Sequence, residues 1–262
     1  YLRAVKNLCL KMGYPITPFK HELVRRATKL LEKTSIKKEK SPPVGLTTLK
    51  RLVELAVREL DNASAALYIL SYWFLLRVPS EALTLRFVKA GTDIGQRTGK
   101  TIYFDEDDES GPGVRFESNK RKNINDPTDM RRICHCKTDK DVCPVHAIEC
   151  YMKHEALEER PFQHLSARSV NATLRRRMMQ LEVDKYALFT SKCFRRGHTN
   201  DIADRGGSLF EILENGQWNS RGGYRPYLEE ARLRDRLANA RAERQKSPED
   251  SPSESSQSSN EE

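Results

Sequence analysis

Phosphate chemistry is the most specific activity that the side chains of residues 192–231 could support. This stretch reads KCFRRGHTNDIADRGGSLFEILENGQWNSRGGYRPYLEEA and contains adjacent arginines, a histidine, a tryptophan and two tyrosines. Guanidinium groups stay protonated and can hold phosphate oxygens in a bidentate manner. A tyrosine phenol can attack a phosphodiester and form a covalent ester. Taken singly, each residue could instead be a solvated arginine or a packing aromatic, so the interpretation depends on their order.

That order resembles the end of the catalytic domain of the tyrosine recombinases. The signature of this family is Arg, then His-or-Lys/x/x/Arg, then His-or-Trp, then Tyr. Upstream, FLLRVPSEALTL (residues 74–85) is similar to the segment that bears the family's first arginine. The resemblance extends over roughly residues 46–230. Within the family, the sequence is similar to that of the eukaryotic Crypton-type recombinases.

The resemblance implies a set of site residues, which we carry over by position. They are Arg77 as the first arginine, Lys122 as the general acid on a hairpin turn, Lys192 in the His-or-Lys place, Arg195 as the second arginine, Trp218 in the His-or-Trp place and Tyr227 as the nucleophile. Lys120 is the alternative general acid, and Tyr224 is a rival nucleophile. The RVPSE motif has one residue more before Glu81 than the commoner Arg/x/Ser/Glu form. His198 is expected to have no catalytic role.

The activity that the resemblance implies is DNA strand breakage and rejoining, as in site-specific recombination or integration of a mobile element. The tyrosine would form a covalent 3′-phosphotyrosine, and no metal or nucleotide cofactor is required for that chemistry. Duplex DNA is the expected partner, bound by a homo-oligomer. Two alternatives stay open: relaxation of DNA as by type IB topoisomerases, and a domesticated DNA-binding module that keeps the fold without cutting.

The charge of the chain supports a polyanionic partner. Lys and Arg number 46 against 37 Asp and Glu, a net charge of +9. From residue 245 onward there are one lysine and five acidic residues, a net −4, which leaves +13 for residues 1–244. Such an excess favours nucleic acid. The segments best suited to phosphate contact are RRATKLLEKTSIKKEK, SNKRK and LRRRMM.

The sequence disfavours membrane insertion and secretion. It contains no run of about 18 apolar residues, and its N-terminal residues lack the order of a signal peptide. The six cysteines, four of them in one short segment, suit reduced thiols or a metal better than a disulfide framework. We therefore expect no membrane partner and no secretion, with a nuclear location if the chain is eukaryotic and a cytoplasmic one otherwise.

A possible metal site is separate from the signature. Cys134, Cys136, Cys143 and His146 have the spacing C-x-C-x6-C-x2-H. Four such ligands suffice for a tetrahedral structural Zn²⁺ that would pin the last strand to the next helix. The spacing is not one of the common finger patterns, however, and cysteine is also a frequent small buried residue. Zn²⁺ binding and ordinary packing both stay open, and Cys150 is expected to lie in the core.

The catalytic residues must be positioned by a mainly helical α+β fold in four parts. We predict a partial helical core-binding domain at residues 1–36, a linker at 37–45, a tyrosine recombinase catalytic domain at 46–244 and a disordered acidic Ser/Pro tail at 245–262. The first part would complete a clamp around duplex DNA.

Apolar spacing predicts the elements within the catalytic domain. TTLKRLVELAVREL has one apolar helical face that ends at Leu60, and ASAALYILSYWFLLR is apolar almost all round and is expected at the core. KTIYF, GVRFES and MRRICHC alternate like strands and predict a small antiparallel three-stranded sheet. A helix is predicted from Phe194 to Arg205, and another follows the capping box that begins at Ser208.

Overall fold

The structure is a computed structural model that describes residues 2–34, 39–88, 99–105, 111–119, 127–134, 140–154, 160–218, 221–224 and 227–228. The chain divides into two compact units, Tyr1–Lys40 and Ser41–Glu262. This division falls inside the segment that the sequence predicts as a linker. The predicted tail lies outside the described residues.

Helices dominate the described residues. They are α1 (Leu2–Lys11), α2 (Thr17–Lys20), α3 (Glu22–Thr34), α4 (Leu46–Arg58), α5 (Asn62–Trp73), α6 (Pro144–His154), α7 (Ala167–Gln180), α8 (Lys192–Asp204), α9 (Leu209–Gly216) and α10 (Arg221–Tyr224). The strands in the same part of the chain are β1 (Leu85–Phe87), β2 (Lys100–Asp105), β3 (Gly113–Ser118) and β4 (Thr128–Ile133). The mainly helical α+β class is confirmed. A search of the described helices finds none with the length and apolar character of a membrane span.

Helix α5 forms the centre of the core in the larger unit, as its almost uniformly apolar sequence predicts. Every residue from Ala63 to Trp73 is buried. Asp61 stabilises the start of the helix, because its carboxylate accepts a hydrogen bond from the Ser64 backbone N–H at 3.0 Å. A helix buried on all sides contacts several neighbours at once, so α5 can position the residues that follow it and those packed on it.

The apolar face of α4 is shorter than the sequence predicts. Leu49, Leu52, Val53 and Ala56 are buried, but Leu60 is 88% exposed. The helix ends at Arg58, and Leu60 has a φ of 60°, so it lies in the turn that leads into α5. The apolar spacing of the sequence thus continues past Arg58, the residue at which the helix ends.

The sheet contains one strand more than predicted. Strands β2, β3 and β4 are antiparallel as expected, with Lys100 opposite Ser118 and Ser118 opposite Thr128. The correction concerns β1, which pairs with β2 in parallel, with Leu85 opposite Lys100. A strand of three residues is too short to show a recognisable alternation in the sequence. The last strand ends at Ile133, before the cysteines of MRRICHC.

The end of the predicted linker packs against α8. The Val44 backbone N–H donates to the Cys193 carbonyl at 3.1 Å, and the Leu46 N–H donates to the Asp201 carboxylate at 3.1 Å. Gly197 permits this close approach, since a Cβ there would lie 1.7 Å from the Val44 carbonyl oxygen. These linker residues therefore belong to the larger unit and help to hold α8 in place.

The LRRRMM segment requires a correction, because all three of its arginines form contacts within the protein. Arg175 donates to the Phe189 carbonyl at 2.9 Å. Arg177 is 1% exposed, and its guanidinium donates to Glu59 at 2.9 Å, to Asp61 at 2.7 Å and to the Tyr68 hydroxyl at 3.0 Å. Arg176 donates to both carboxylate oxygens of Glu59, at 2.8 and 2.7 Å. Arg177 is thus unsuited to phosphate contact, because it joins α7 to the turn between α4 and α5.

The ion pairs of Glu59 predict an acid-dependent stability. The hydrogen bond from Arg176, with a further one from Arg177, lowers the pKa of Glu59 from 4.5 to about 2, although burial acts in the opposite direction. A lowered carboxylate pKa gives stability that is fully present above the unfolded-state pKa and is lost as the pH falls toward the folded-state value. Glu59→Gln should therefore reduce the free energy of unfolding by about 1–3 kcal/mol at neutral pH.

Urea denaturation at a series of pH values measures this effect. The difference between wild type and Glu59→Gln should shrink as the pH falls from about 5 toward about 2. Glu54→Gln is the matched control, because Glu54 lies on α4 five residues before Glu59, and its ion pair with Arg58 is long, at 3.8 Å, and exposed. A Glu59 difference that does not change with pH, or a similar one for Glu54, would contradict the assignment.

Candidate active site

Helix α8 carries the central part of the signature and is buried on most of its surface. Residues Cys193–Asn200 are all buried, and the Phe194 ring stacks on Tyr68 of α5 with centroids 5.2 Å apart. The helix begins at Lys192, slightly before the predicted start. Gly206, with a φ of 79°, adopts the left-handed conformation that follows its end. Packing against α5 therefore fixes the position of every side chain on this helix.

Three signature side chains come together beside α8. The Arg195 Cζ atom lies 5.3 Å from the centroid of the Trp218 ring and 4.9 Å from that of the Tyr227 ring. The two rings stack on each other, with centroids 5.2 Å apart and planes at 27°. A guanidinium over aromatic faces is a favourable cation–π arrangement. We call Arg195, Trp218 and Tyr227 the Arg195 cluster.

The guanidinium of the cluster is covered by its aromatic partners. Arg195 is 2% exposed, whereas Trp218 and Tyr227 are half-buried. The ring faces offset part of the cost of keeping a charged group out of water. Both rings therefore lie against the guanidinium and contribute to its burial.

Backbone geometry seats the Trp218 indole. Gln217 follows α9 in the left-handed conformation, with a φ of 51°, and turns the chain toward Trp218. A Cβ at Gly216 would lie 2.0 Å from the indole, and one at Gly223 would lie 2.9 Å from it. Glycine is therefore the residue that fits at Gly216. The sequence predicts that the helix stops at Asn215-Gly216, and α9 does end at Gly216, but the contact of this glycine with the indole was not predicted.

The two candidate tyrosines occupy different environments. Tyr224 is buried in a small hydrophobic cluster with Ile202 and Ile212. Tyr227 is half-buried against the Arg195 guanidinium, and its backbone carbonyl accepts a long hydrogen bond from the Asn200 side chain at 3.4 Å. Of the two phenol-bearing residues, Tyr227 is the one in contact with a signature arginine.

Arg77 is held by an acidic residue in its own motif. Its backbone N–H and its Nη1 atom donate to the two carboxylate oxygens of Glu81, each at 2.8 Å. Glu81 is buried, while the Arg77 side chain is partly exposed. The extra residue of RVPSE is accommodated in a turn, in which the Glu81 N–H donates to the Arg77 carbonyl at 2.7 Å. The longer spacing thus preserves an Arg–Glu pair.

Of the three lysines predicted at the site, one lies within the described residues and two lie outside them. Lys192 is exposed at the first position of α8, one turn before Arg195. Lys120 and Lys122 lie outside the described residues, in the connection between β3 and β4. The choice between them as general acid stays a prediction.

His198 is buried among aromatic rings. Its ring centroid lies 4.7 Å from that of Tyr72 and 5.3 Å from that of Trp73, both in edge-to-face geometry. These contacts give it a packing role between α8 and α5, in line with the expectation that it has no catalytic role.

Three side chains of the cysteine-rich segment are also brought together. Cys134, Cys143 and His146 have ligand atoms that all lie within 4.8 Å of one another. Cys136 lies outside the described residues. Cys150 is exposed, not in the core as predicted, because it lies on the outer side of α6.

Comparisons with known proteins find solved structures with a similar fold. No family model matches the sequence, and no curated protein matches it. The fold is similar to that of XerA recombinase. That structure has a TM-score of 0.49 and 17% identity, and the match covers 92% of this chain and 82% of the other. A second similar structure is XerH site-specific recombinase bound to difH substrate, with a TM-score of 0.46, 11% identity and coverage of 78% of this chain and 56% of the other.

The seating of Trp218 predicts an unusual effect of a glycine substitution. Ala normally stabilises a helix relative to Gly, but Gly216→Ala should displace the indole and destabilise the protein by about 1–3 kcal/mol. Incorporation of 5-fluorotryptophan gives a fluorine NMR signal for each of the two tryptophans. The signal of Trp218, identified with Trp218→Phe, should shift in the Gly216 variant while that of Trp73 stays in place.

Glu214→Ala is the matched control for this experiment. Glu214 lies two residues earlier on α9 with its side chain exposed, so its removal should leave both signals unchanged. An unshifted Trp218 signal in Gly216→Ala would show that the indole does not pack against this glycine.

Proposed function

We propose that this chain breaks and rejoins DNA strands as a tyrosine recombinase, through a covalent 3′-phosphotyrosine at Tyr227. The observation that carries the proposal is the Arg195 cluster. It joins the second arginine, the His-or-Trp residue and the tyrosine of the signature at contact distance, although 32 positions separate the first from the last.

Each cluster member has a role that suits its chemistry. Attack of the Tyr227 hydroxyl oxygen on phosphorus forms the phosphotyrosine bond and breaks the bond to the 5′-oxygen, and negative charge develops on the nonbridging oxygens. Arg195 would hold those oxygens, because a guanidinium stays charged and binds oxygen pairs in its own plane. The Trp218 indole N–H would donate a further hydrogen bond. The 5′-hydroxyl of a strand later attacks the phosphotyrosine and restores the backbone.

Arg77 would supply the second phosphate clamp. Its position depends on α5, which ends at Trp73, four residues earlier in the chain, and Arg195 lies on the helix that packs against α5. The buried Glu81 carboxylate holds the guanidinium at 2.8 Å and limits the orientations it can adopt. Such preorganisation of charge is a large contribution to catalysis in phosphoryl transfer.

The leaving 5′-oxygen requires a proton, and Lys122 or Lys120 would provide it. Lys192 would act as a point charge on a phosphate oxygen, which fits its exposed position at the start of α8.

A non-cleaving DNA-binding module is the second candidate, and the burial of Arg195 favours it. A guanidinium that is 2% exposed cannot contact phosphate while Trp218 and Tyr227 cover it. In a cutting enzyme, DNA binding must therefore move these rings, whereas a binding module has no need to do so.

Trapping of a covalent complex distinguishes the two functions. The full chain is incubated with a pool of nicked duplexes of randomised sequence, in which cleavage near the nick releases a short strand and prevents religation. Wild type should form an adduct that survives denaturation, and Tyr227→Phe should abolish it while leaving DNA affinity nearly unchanged, because only the nucleophilic oxygen is lost. Arg195→Ala should slow adduct formation on the order of a thousandfold.

Tyr224→Phe is the matched control, since it removes the hydroxyl of a buried tyrosine that lies three residues before Tyr227. It should still form adduct. If Tyr227→Phe forms adduct and Tyr224→Phe does not, Tyr224 is the nucleophile and the assignment of Tyr227 is wrong. Binding to the pool with no adduct from wild type would favour the non-cleaving module.

The net charge predicts a steep dependence of DNA binding on salt. If about six phosphates are engaged, the logarithm of the affinity should fall against the logarithm of salt concentration with a slope of roughly −5. Lys192→Gln should make this slope shallower by about one, because one phosphate contact is lost. Fluorescence anisotropy at several salt concentrations measures both slopes, and an affinity that does not change with salt would contradict an electrostatic interface.

A further inference from the structure

We propose that Cys134, Cys143 and His146 bind a structural Zn²⁺ ion, with Cys136 as the fourth ligand. The Cys134 and Cys143 sulfurs are 3.9 Å apart, and the Cys134 sulfur is 3.8 Å from the His146 Nδ1 atom. A tetrahedral ion with Zn–S bonds of 2.3 Å separates two sulfur ligands by about 3.8 Å. A search of the described residues for three or more potential ligands close enough to bind one ion finds Cys134, Cys143 and His146.

The backbone holds these ligands in place from two directions. Cys134 follows β4 directly, and its N–H donates to the Pro112 carbonyl at 3.1 Å. Cys143 immediately precedes α6, where its carbonyl accepts from the Ala147 N–H at 3.0 Å, and His146 lies in the first turn of that helix.

The segment before Cys143 is tied to the helical core. The Trp73 indole N–H donates to the Val142 carbonyl at 2.7 Å, and Lys50 pairs with Asp141 at 2.8 Å. A metal bound here would therefore join the end of β4 to α4, α5 and α6 in one place. Cys134 directly follows β4, whose other end pairs Thr128 with Ser118 of β3, so we assign the ion a role in stabilising this end of the sheet.

Cys136 lies outside the described residues and is proposed as the fourth ligand from its place in the sequence alone. It is two residues after Cys134, and a Cys₃His set is one of the common structural zinc combinations. A disulfide between Cys134 and Cys143 is the competing use of these thiols, but it would need the sulfurs to approach to about 2.05 Å and would leave the imidazole without a role.

Metal content and stability test the site. Protein purified without chelator should hold about one Zn²⁺ per chain by elemental analysis, and Co²⁺ in its place should give the absorption bands of a tetrahedral thiolate complex. A strong chelator should lower the Tm by roughly 5–15 °C, and Zn²⁺ but not Mg²⁺ should restore it, because binding free energy becomes folding free energy.

Serine variants separate this site from other cysteine effects. Cys143→Ser and Cys136→Ser should each lose the zinc, whereas the matched control Cys150→Ser, on the exposed side of α6, should keep it. If a variant does not fold, the Co²⁺ spectrum of the wild type still decides the point. The proposal is overturned if the wild type holds no zinc and takes up no Co²⁺, or if intact mass shows a Cys134–Cys143 disulfide. Zinc retained by Cys136→Ser would overturn the fourth ligand.

Discussion

The packing of α8 against α5 is the contact on which the rest of the larger unit depends. Phe194 stacks on Tyr68, and His198 packs edge-to-face against Tyr72. Aromatic pairs of this kind contribute about 0.5–1.5 kcal/mol each beyond their area burial. Asp201 adds polar contacts at the same interface, because it accepts hydrogen bonds from the Tyr72 hydroxyl and from the first N–H of α4. Three helices are thereby fixed relative to one another.

The proposed active site takes its geometry from this interface. Arg195 follows Phe194 directly, so the ring stacking that seats Phe194 also sets where the guanidinium lies. Arg77 follows the end of the other helix in the pair and is oriented by Glu81. Groups placed by packed helices are positioned more exactly than groups on loops. Under the proposed function, phosphate would contact a guanidinium that Trp218 and Tyr227 now lie against, so both rings are expected to shift when DNA binds.

The sequence predicted those features that depend on local pattern. The apolar character of α5 and the alternation of β2–β4 each lie within a few neighbouring residues, and the signature was recognised from the order of its residue types along the chain. Features that depend on long-range contact were not accessible. Arg177 looks like a solvated arginine in LRRRMM, and only the fold brings Glu59 and Asp61 to it from 116 to 118 positions away. Likewise, Gly216 is required by an indole that no helical pattern places above it.

In the proposed function, the phenol beside Arg195 becomes covalently attached to DNA. Digestion of the trapped complex with protease and nuclease, followed by mass spectrometry, identifies the modified peptide and the modified tyrosine directly. The account predicts a nucleotide attached through a 3′-phosphate to Tyr227. A nucleotide on Tyr224, or DNA that is bound by the folded protein with no tyrosine modified, would contradict it.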